Sequence, residues 1–219
     1  MGWQALKTKA RAQLLDGDVG LSAHTLVEAV RLAPDEPSLY VDLIQVCLLA
    51  GSPKDALKAA FELRRIDVNN AHYAYLHAMA SLAGGDVHAA RHILEESLRK
   101  APDSWEVRQS LAQVLRLQKE DGRVQQLLEE AVELAPTEAG PVNDLAVLLL
   151  EKNQGARAVK SLQRLLAGKP DELGARLNLA LALVQEGRQG EARPHAQAAA
   201  KSPEKAIAEQ AARLLKQLG

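Results

Sequence analysis

A chain of 219 residues, 47% apolar and 25% charged, has the composition of an ordinary water-soluble protein and is long enough to bury a continuous core. Its net charge of −1 leaves no excess of positive charge to hold a phosphate backbone or an anionic membrane, which argues against a nucleic-acid partner. The lone cysteine, Cys47, excludes an internal disulfide, and 3% aromatic content with abundant Ala and Leu favours helices packed at close range over strands.

The chain opens Met1-Gly2-Trp3-Gln4-Ala5-Leu6-Lys7-Thr8-Lys9, without the apolar stretch of a signal peptide. Leu6 stands where a myristoylation signal carries Ser or Thr. No run approaches the ~18 apolar residues of a membrane span, so the expectation is a cytoplasmic protein without membrane insertion.

From Trp3 onward the sequence predicts helical hairpins in tandem. In the first, Ala10 and Ser22 are the small residues of two facing helices, and Gly17 ends the first helix. Lys9 and Gln13 occupy places that are apolar in most later hairpins, as expected where no earlier unit covers the edge. The second hairpin carries Ile44 and Ala56 at the corresponding places with Gly51 between them, and the bulk of Ile44 predicts a slight splay. Ala78 and Ala90, Ala112 and Val124, Ala146 and Ala158, and Ala180 and Ala192 follow in the later four. Gly85, Asn153 and Gly187 continue the helix-ending series, and only Lys119 breaks it. Prolines at 34, 102, 136 and 170 lie on the same 34-residue grid. Each grid point is followed by a predicted N-cap: Asp35, Asn69, Asp103, Thr137 or Asp171. After Pro203 an amphipathic helix over about 204–218 offers Ile207, Ala211, Leu214, Leu215 and Leu218 to the last hairpin, leaving Glu209, Arg213 and Lys216 to water.

A 34-residue period with small residues at the eighth and twentieth places and Pro near the end resembles the tetratricopeptide repeat. Six repeats result, at residues 3–36, 37–70, 71–104, 105–138, 139–172 and 173–206, in one domain spanning 1–219. The family's Trp near the start of each first helix is missing, since Trp3 and Trp105 both stand at the first place of their units. The resemblance implies an all-α, right-handed superhelical solenoid of antiparallel hairpins, with the first helix of each hairpin lining a concave groove. It also implies that the groove binds another protein.

By register the groove places are Lys7 and Arg11; Val41, Asp42 and Gln45; His72, Tyr75 and Met79; and Gln109, Gln113 and Arg116. Asn143, Asp144 and Val147, then Leu177, Asn178 and Leu181, continue the ladder. Its Gln and Asn amides can pair with N–H and C=O of an extended peptide, and Tyr75, Met79, Leu177 and Leu181 can supply apolar pockets. The family's clamp for chaperone C-terminal tails is not reproduced. Lys7 matches its first Lys, but Arg11 and Asp42 replace its two Asn, and His72 and Leu76 replace its last Lys and Arg. An Asp in a carboxylate clamp repels the ligand.

Chemistry is scarce. There is no phosphate-binding glycine loop and no GxSxG motif, and the register assigns no Ser–His–acid set to one face, so the reading is non-catalytic and needs no cofactor. His88 and His92 have a chelating i, i+4 spacing but lack a third ligand, and they read as surface residues with no functional metal. His77 stands where most other units carry Leu and reads as a buried, hydrogen-bonded core histidine. The function expected is a protein-interaction scaffold or adaptor in a larger bacterial complex, similar in its repeat number to small assembly proteins of envelope or pilus machinery. Two alternatives are a self-associating coat protein, through Trp3, Trp105 and Leu39 near unit edges, and a regulatory module that binds a peptide signal.

Overall fold

The computed structural model of the protein describes residues 2–219, in which there are thirteen α-helices and no strand. They fall into two compact units, one reaching to Gln118 and the other running from Lys119 to Gly219. The first unit holds α1 (Trp3–Leu15), α2 (Val19–Leu32), α3 (Pro37–Leu49), α4 (Pro53–Ile66), α5 (Ala71–Ala83), α6 (Val87–Lys100) and α7 (Trp105–Leu117). The second holds α8 (Asp121–Leu134), α9 (Ala139–Glu151), α10 (Gly155–Gly168), α11 (Leu173–Gln185), α12 (Gln189–Ala199) and α13 (Lys205–Gln217). Within each unit every helix packs on the next, and in the first unit α3 also touches α5, and α5 touches α7. The odd helices α1 to α11 begin at 3, 37, 71, 105, 139 and 173, and the even helices α2 to α12 at 19, 53, 87, 121, 155 and 189. Both series step by 34, the period read from the sequence.

The junctions between repeats are β-turns. The N–H groups of Glu36, Asn70, Ser104, Glu138 and Glu172 donate to the carbonyls of Ala33, Asp67, Ala101, Ala135 and Lys169, three residues back. Pro34, Pro102, Pro136 and Pro170 therefore occupy the second turn position, where a fixed φ near −65° is favoured. This geometry corrects the expected caps. Asp35, Asn69, Asp103, Thr137 and Asp171 lie inside the turns, and the N-caps are one residue later. Asn70 caps with its side chain, accepting from the N–H of His72 at 3.0 Å and of Tyr73 at 3.2 Å, and Ser104 accepts from Val107 at 3.2 Å.

Inside each hairpin the first helix ends on a left-handed residue: Gly17, Gly51, Gly85, Lys119, Asn153 and Gly187 all have positive φ. At Gly17 its own N–H bonds the Leu14 carbonyl, and the Asp18 N–H reaches back to Gln13. The same two bonds close the helices at Gly51, Gly85, Asn153 and Gly187, satisfying carbonyls that a helix end leaves free. Lys119, which breaks the residue series, adopts the same conformation with φ of 60°.

The twelve residues at the eighth and twentieth places are at most 1% exposed. Ile44 is fully buried despite its size. Large apolar residues fill the layers between them. Leu39, Leu63, Leu94, Leu111 and Leu115 are fully buried in the first unit, and Leu149, Leu162, Leu165, Leu179 and Leu183 are buried to within 1% in the second. Each such side chain contributes about 1.5–3 kcal/mol of burial, and stacking of neighbouring hairpins is what completes it. In α13, Ala211 and Leu214 are buried, Ile207, Leu215 and Leu218 half-buried, and Glu209, Arg213 and Lys216 exposed, as the amphipathic pattern predicts.

Two polar sites in the first unit depart from expectation. Gln13, expected as an exposed edge residue, is 9% exposed and accepts a 2.8 Å hydrogen bond from the buried Thr25 hydroxyl. The reason is its register: its repeat equivalents include Cys47, Leu115 and Leu149, all core residues, and the pair stands where the second and fourth hairpins place Cys47 with Ala59 and Leu115 with Leu127. His77, expected to be buried and hydrogen-bonded, is half-buried, and its Nδ1 is buried without a hydrogen-bond partner. Burial first, and the Arg64 charge second, push its pKa below the ordinary histidine value of 6.5. Arg64 Nε and Ser97 Oγ are likewise buried and unpartnered among the described residues.

Candidate protein-binding groove

In the first unit Lys7 and Arg11 on α1, and Asp42 and Gln45 on α3, come together around one cavity of about 730 Å³. Its floor is apolar, formed by Ala10, Leu14, Leu26 and Val46. The spacing explains the convergence: residues 7 and 11, and 38, 42 and 45, recur at three or four and so share a helix face. Lys7 Nζ lies 3.3 Å from the Asp42 carboxylate and donates to the Ser38 carbonyl at 3.4 Å, tying α1 to α3 across the opening. Arg11 and Gln45 are exposed at the rim. Both ends of the Lys7–Asp42 pair are about a third exposed, so it contributes less than about 1 kcal/mol to stability. It does cancel the Asp42 charge locally, leaving Arg11 to set the sign of the rim.

Trp3, half-buried, also lines this cavity, together with Gln4, Thr8 and Ser38, none of which the groove reading selected. The signal was present. Residues 3, 7 and 11 form one i, i+4 row, but Trp3 stands at the first place of its unit, where it reads as an end residue.

On α5 the rings of His72 and Tyr75 stack at 25° with centroids 6.2 Å apart, and Met79 follows one turn later, half-buried. Val41 on α3 is half-buried and packs against the core. On α7, Gln109, Gln113 and Arg116 each already interact within the protein. In the second unit Asn178 Nδ2 donates to Asn143 Oδ1 at 2.9 Å, so these two amides meet each other across α9 and α11. The Asn143 amino group and the Asn178 carbonyl oxygen remain outside that bond, a donor and an acceptor side by side. Asp144, Val147 and Leu181 are half-buried beside them. Leu177, expected as an apolar contact, is 4% exposed and belongs to the core instead. Ile207 of α13 sits across Gly174 from Asn143, bounding this face.

Leu39, expected near a free unit edge, is fully buried. The exposed apolar residues of the first unit's odd helices are instead Leu15 at 82%, Leu49 at 66% and Leu117 at 62%, all at the thirteenth place of their repeats. His88 and His92 are exposed on α6. Among the described residues no group of three or more His, Cys, Asp or Glu is placed to hold a metal ion.

The tetratricopeptide-repeat sequence profile matches residues 7–67, 75–139 and 143–217, nearly the whole chain. The chain belongs to the tetratricopeptide-repeat family. Solved structures agree on the fold. Yeast Tom70 matches with a TM-score of 0.78 at 19% identity, covering 90% of this chain and 42% of its own. A thermophilic tetratricopeptide-repeat protein of Thermus thermophilus matches at 0.65 and 19% identity, covering 84% of this chain and all of its own. PilF of Pseudomonas aeruginosa matches at 0.68 and 15% identity over 98% of this chain and 97% of its own. The chain thus spans less than half of Tom70 and nearly the full length of the other two. No curated protein sequence matches significantly. The repeat architecture is that of a protein-interaction scaffold, and no helix among the described residues is long and apolar enough to cross a membrane.

Proposed function

We propose that this protein is a non-catalytic adaptor that captures a segment of a partner protein along its odd-numbered helices, as an assembly or regulatory factor of a larger bacterial complex. The observation that carries the reading is the 730 Å³ cavity between α1 and α3, where four residues selected by register alone meet over an apolar floor. A cavity of that size accepts one or two partner side chains, with Trp3 as an aromatic wall and Arg11 and Gln45 as polar rim contacts. The His72–Tyr75 stack and the donor–acceptor pair of Asn143 and Asn178 offer further contacts in the two units, the latter matched to one peptide C=O and N–H. Few such anchors are expected to dominate the affinity.

The test compares proteins retained from native lysate by wild type with those retained by a Trp3→Ala, Arg11→Ala, Gln45→Ala, Tyr75→Ala variant of unchanged helicity. A protein held by wild type and lost from the variant supports the groove reading. Equal retention by both sinks it.

Self-association is the second reading, favoured by the exposed Leu15, Leu49 and Leu117. It predicts concentration-dependent sedimentation that Leu15→Ser together with Leu49→Ser abolishes. A monomer at all concentrations removes it.

A further inference from the structure

A second cavity opens on the other face of α3. Ser38, Asp42, Gln45 and Val46 line the groove, whereas Tyr40, Leu43 and Cys47 line this cavity, and α2 and α4 form its walls. Its volume is about 360 Å³, within the usual range of small-ligand cavities, and it is separate from the groove assigned above to a partner protein.

The floor is apolar, built from Val30, Tyr40, Leu43, Cys47 and Ala59. The Tyr40 hydroxyl is already committed, donating to the Pro34 carbonyl at 2.9 Å, so its ring is what the cavity meets. On the α4 wall Asp55, Ala59 and Glu62 recur at helical spacing and share one face, which sets two carboxylates along the cavity two turns apart. Arg31, Lys58 and His24 complete the charged and titratable lining, so the rim by itself favours neither sign. The floor does favour one. Burial pushes the Tyr40 hydroxyl and the Cys47 thiol up from their ordinary values, and acidic neighbours push both further, Glu62 and Asp35 at Tyr40 and Asp55 at Cys47. Arg65 opposes this at Tyr40 as the smallest contribution, while Arg31 and Lys58, both exposed, are not among the charges felt at either group.

The two carboxylates are engaged by exposed i, i+3 pairs, Asp55 with Lys58 at 3.0 Å and Glu62 with Arg65 at 2.6 Å. Pairs of that kind are weak enough to be exchanged for a ligand cation. A cation also gains from the face of an aromatic ring, where an anion is repelled.

We infer that this cavity binds a small organic cation, its aryl or alkyl body on the Tyr40–Leu43–Cys47 floor and its ammonium against the α4 wall that carries Asp55 and Glu62. Binding here is independent of partner capture by the groove.

The experiment titrates the full chain by calorimetry at neutral pH with 2-phenylethylammonium, 2-phenylethanol and 3-phenylpropanoate, which share one aryl body and differ in charge. The ammonium is expected to bind tightest and the carboxylate weakest. Asp55→Asn combined with Glu62→Gln, both at exposed positions, should weaken the ammonium by roughly three- to tenfold and leave the alcohol unchanged. Arg31→Gln should leave the ammonium bound at least as tightly as in wild type. Ala23→Trp, at a half-buried place in the α2 wall, should fill the space and abolish binding of all three. No heat of binding from the ammonium, an affinity no greater than that of the alcohol, or binding unaltered by the Asp55–Glu62 double change overturns the inference. Binding that survives Ala23→Trp in a chain of unchanged helicity also overturns it, by placing the ammonium elsewhere.

Discussion

Lys119 offers the sharpest test of what closes the helices. Six first helices end on a left-handed residue; four use Gly, one Asn and one Lys, with φ of 60° at Lys119. A side chain with a Cβ in that conformation costs about 1–2 kcal/mol from the clash with the following carbonyl. Glycine removes the clash but restores freedom to the unfolded chain, at about 0.4–1 kcal/mol. Lys119→Gly should therefore stabilise the protein by about 0.5–1 kcal/mol, raising Tm by about 1–4 °C for a chain of this length. The reverse change provides the control. A Cβ built on Gly51, with φ of 68°, meets no atom within 4 Å, so Gly51→Ala introduces backbone strain and nothing else. It should lose about the amount that Lys119→Gly gains. Asn153→Gly should change little, since Asn tolerates this region. Urea denaturation followed by far-UV circular dichroism reads all three variants. If Lys119→Gly fails to stabilise while Gly51→Ala costs nothing, left-handed closure is not what sets the stability of these junctions.

Three further outcomes are expected. His77→Leu, which installs the residue of four other repeats, should stabilise the protein by about 1–2 kcal/mol by removing an unpartnered buried nitrogen. It should also flatten the pH dependence. The folded pKa of His77 lies below 6.5, so the unfolded chain takes up the proton first, and stability that is full above that value falls as pH drops through and below it; titration of urea midpoints between wild type and variant checks this. Pro194 interrupts α12 at a position whose N–H would bond four residues back, so Pro194→Ala should raise Tm, and a fall would mean the ring's packing outweighs the lost bond. For the buried Gln13–Thr25 pair, Thr25→Val alone should cost about 1–3 kcal/mol by stranding the Gln13 amide, while Gln13→Leu combined with Thr25→Val should recover most of it; additive losses in the double-mutant cycle would contradict the pairing.

The sequence by itself determined the repeat and the register. A 34-residue period is carried by residues whose local physics leaves few alternatives: Pro pre-sets a turn, Gly accepts positive φ, and small residues permit close helix contact. The repeat boundaries and the small places of every hairpin could therefore be read directly, and so could the faces that hold Lys7, Arg11, Asp42 and Gln45. Tertiary structure decided whatever depended on neighbours. Lys119 breaks the residue series but not the conformation, adopting the positive φ of the Gly and Asn residues at the equivalent places. The caps moved by one residue because a hydrogen-bonded turn fixed where each helix could begin. Gln13 turned inward because Thr25 waits on the next helix, and Asn143 and Asn178, 35 residues apart, found each other across two hairpins. Polarity marks a residue as able to face water, but only packing reveals which polar groups have found partners instead. The cavity floored by Cys47 has the same origin, since no local pattern records three helices leaving room between them.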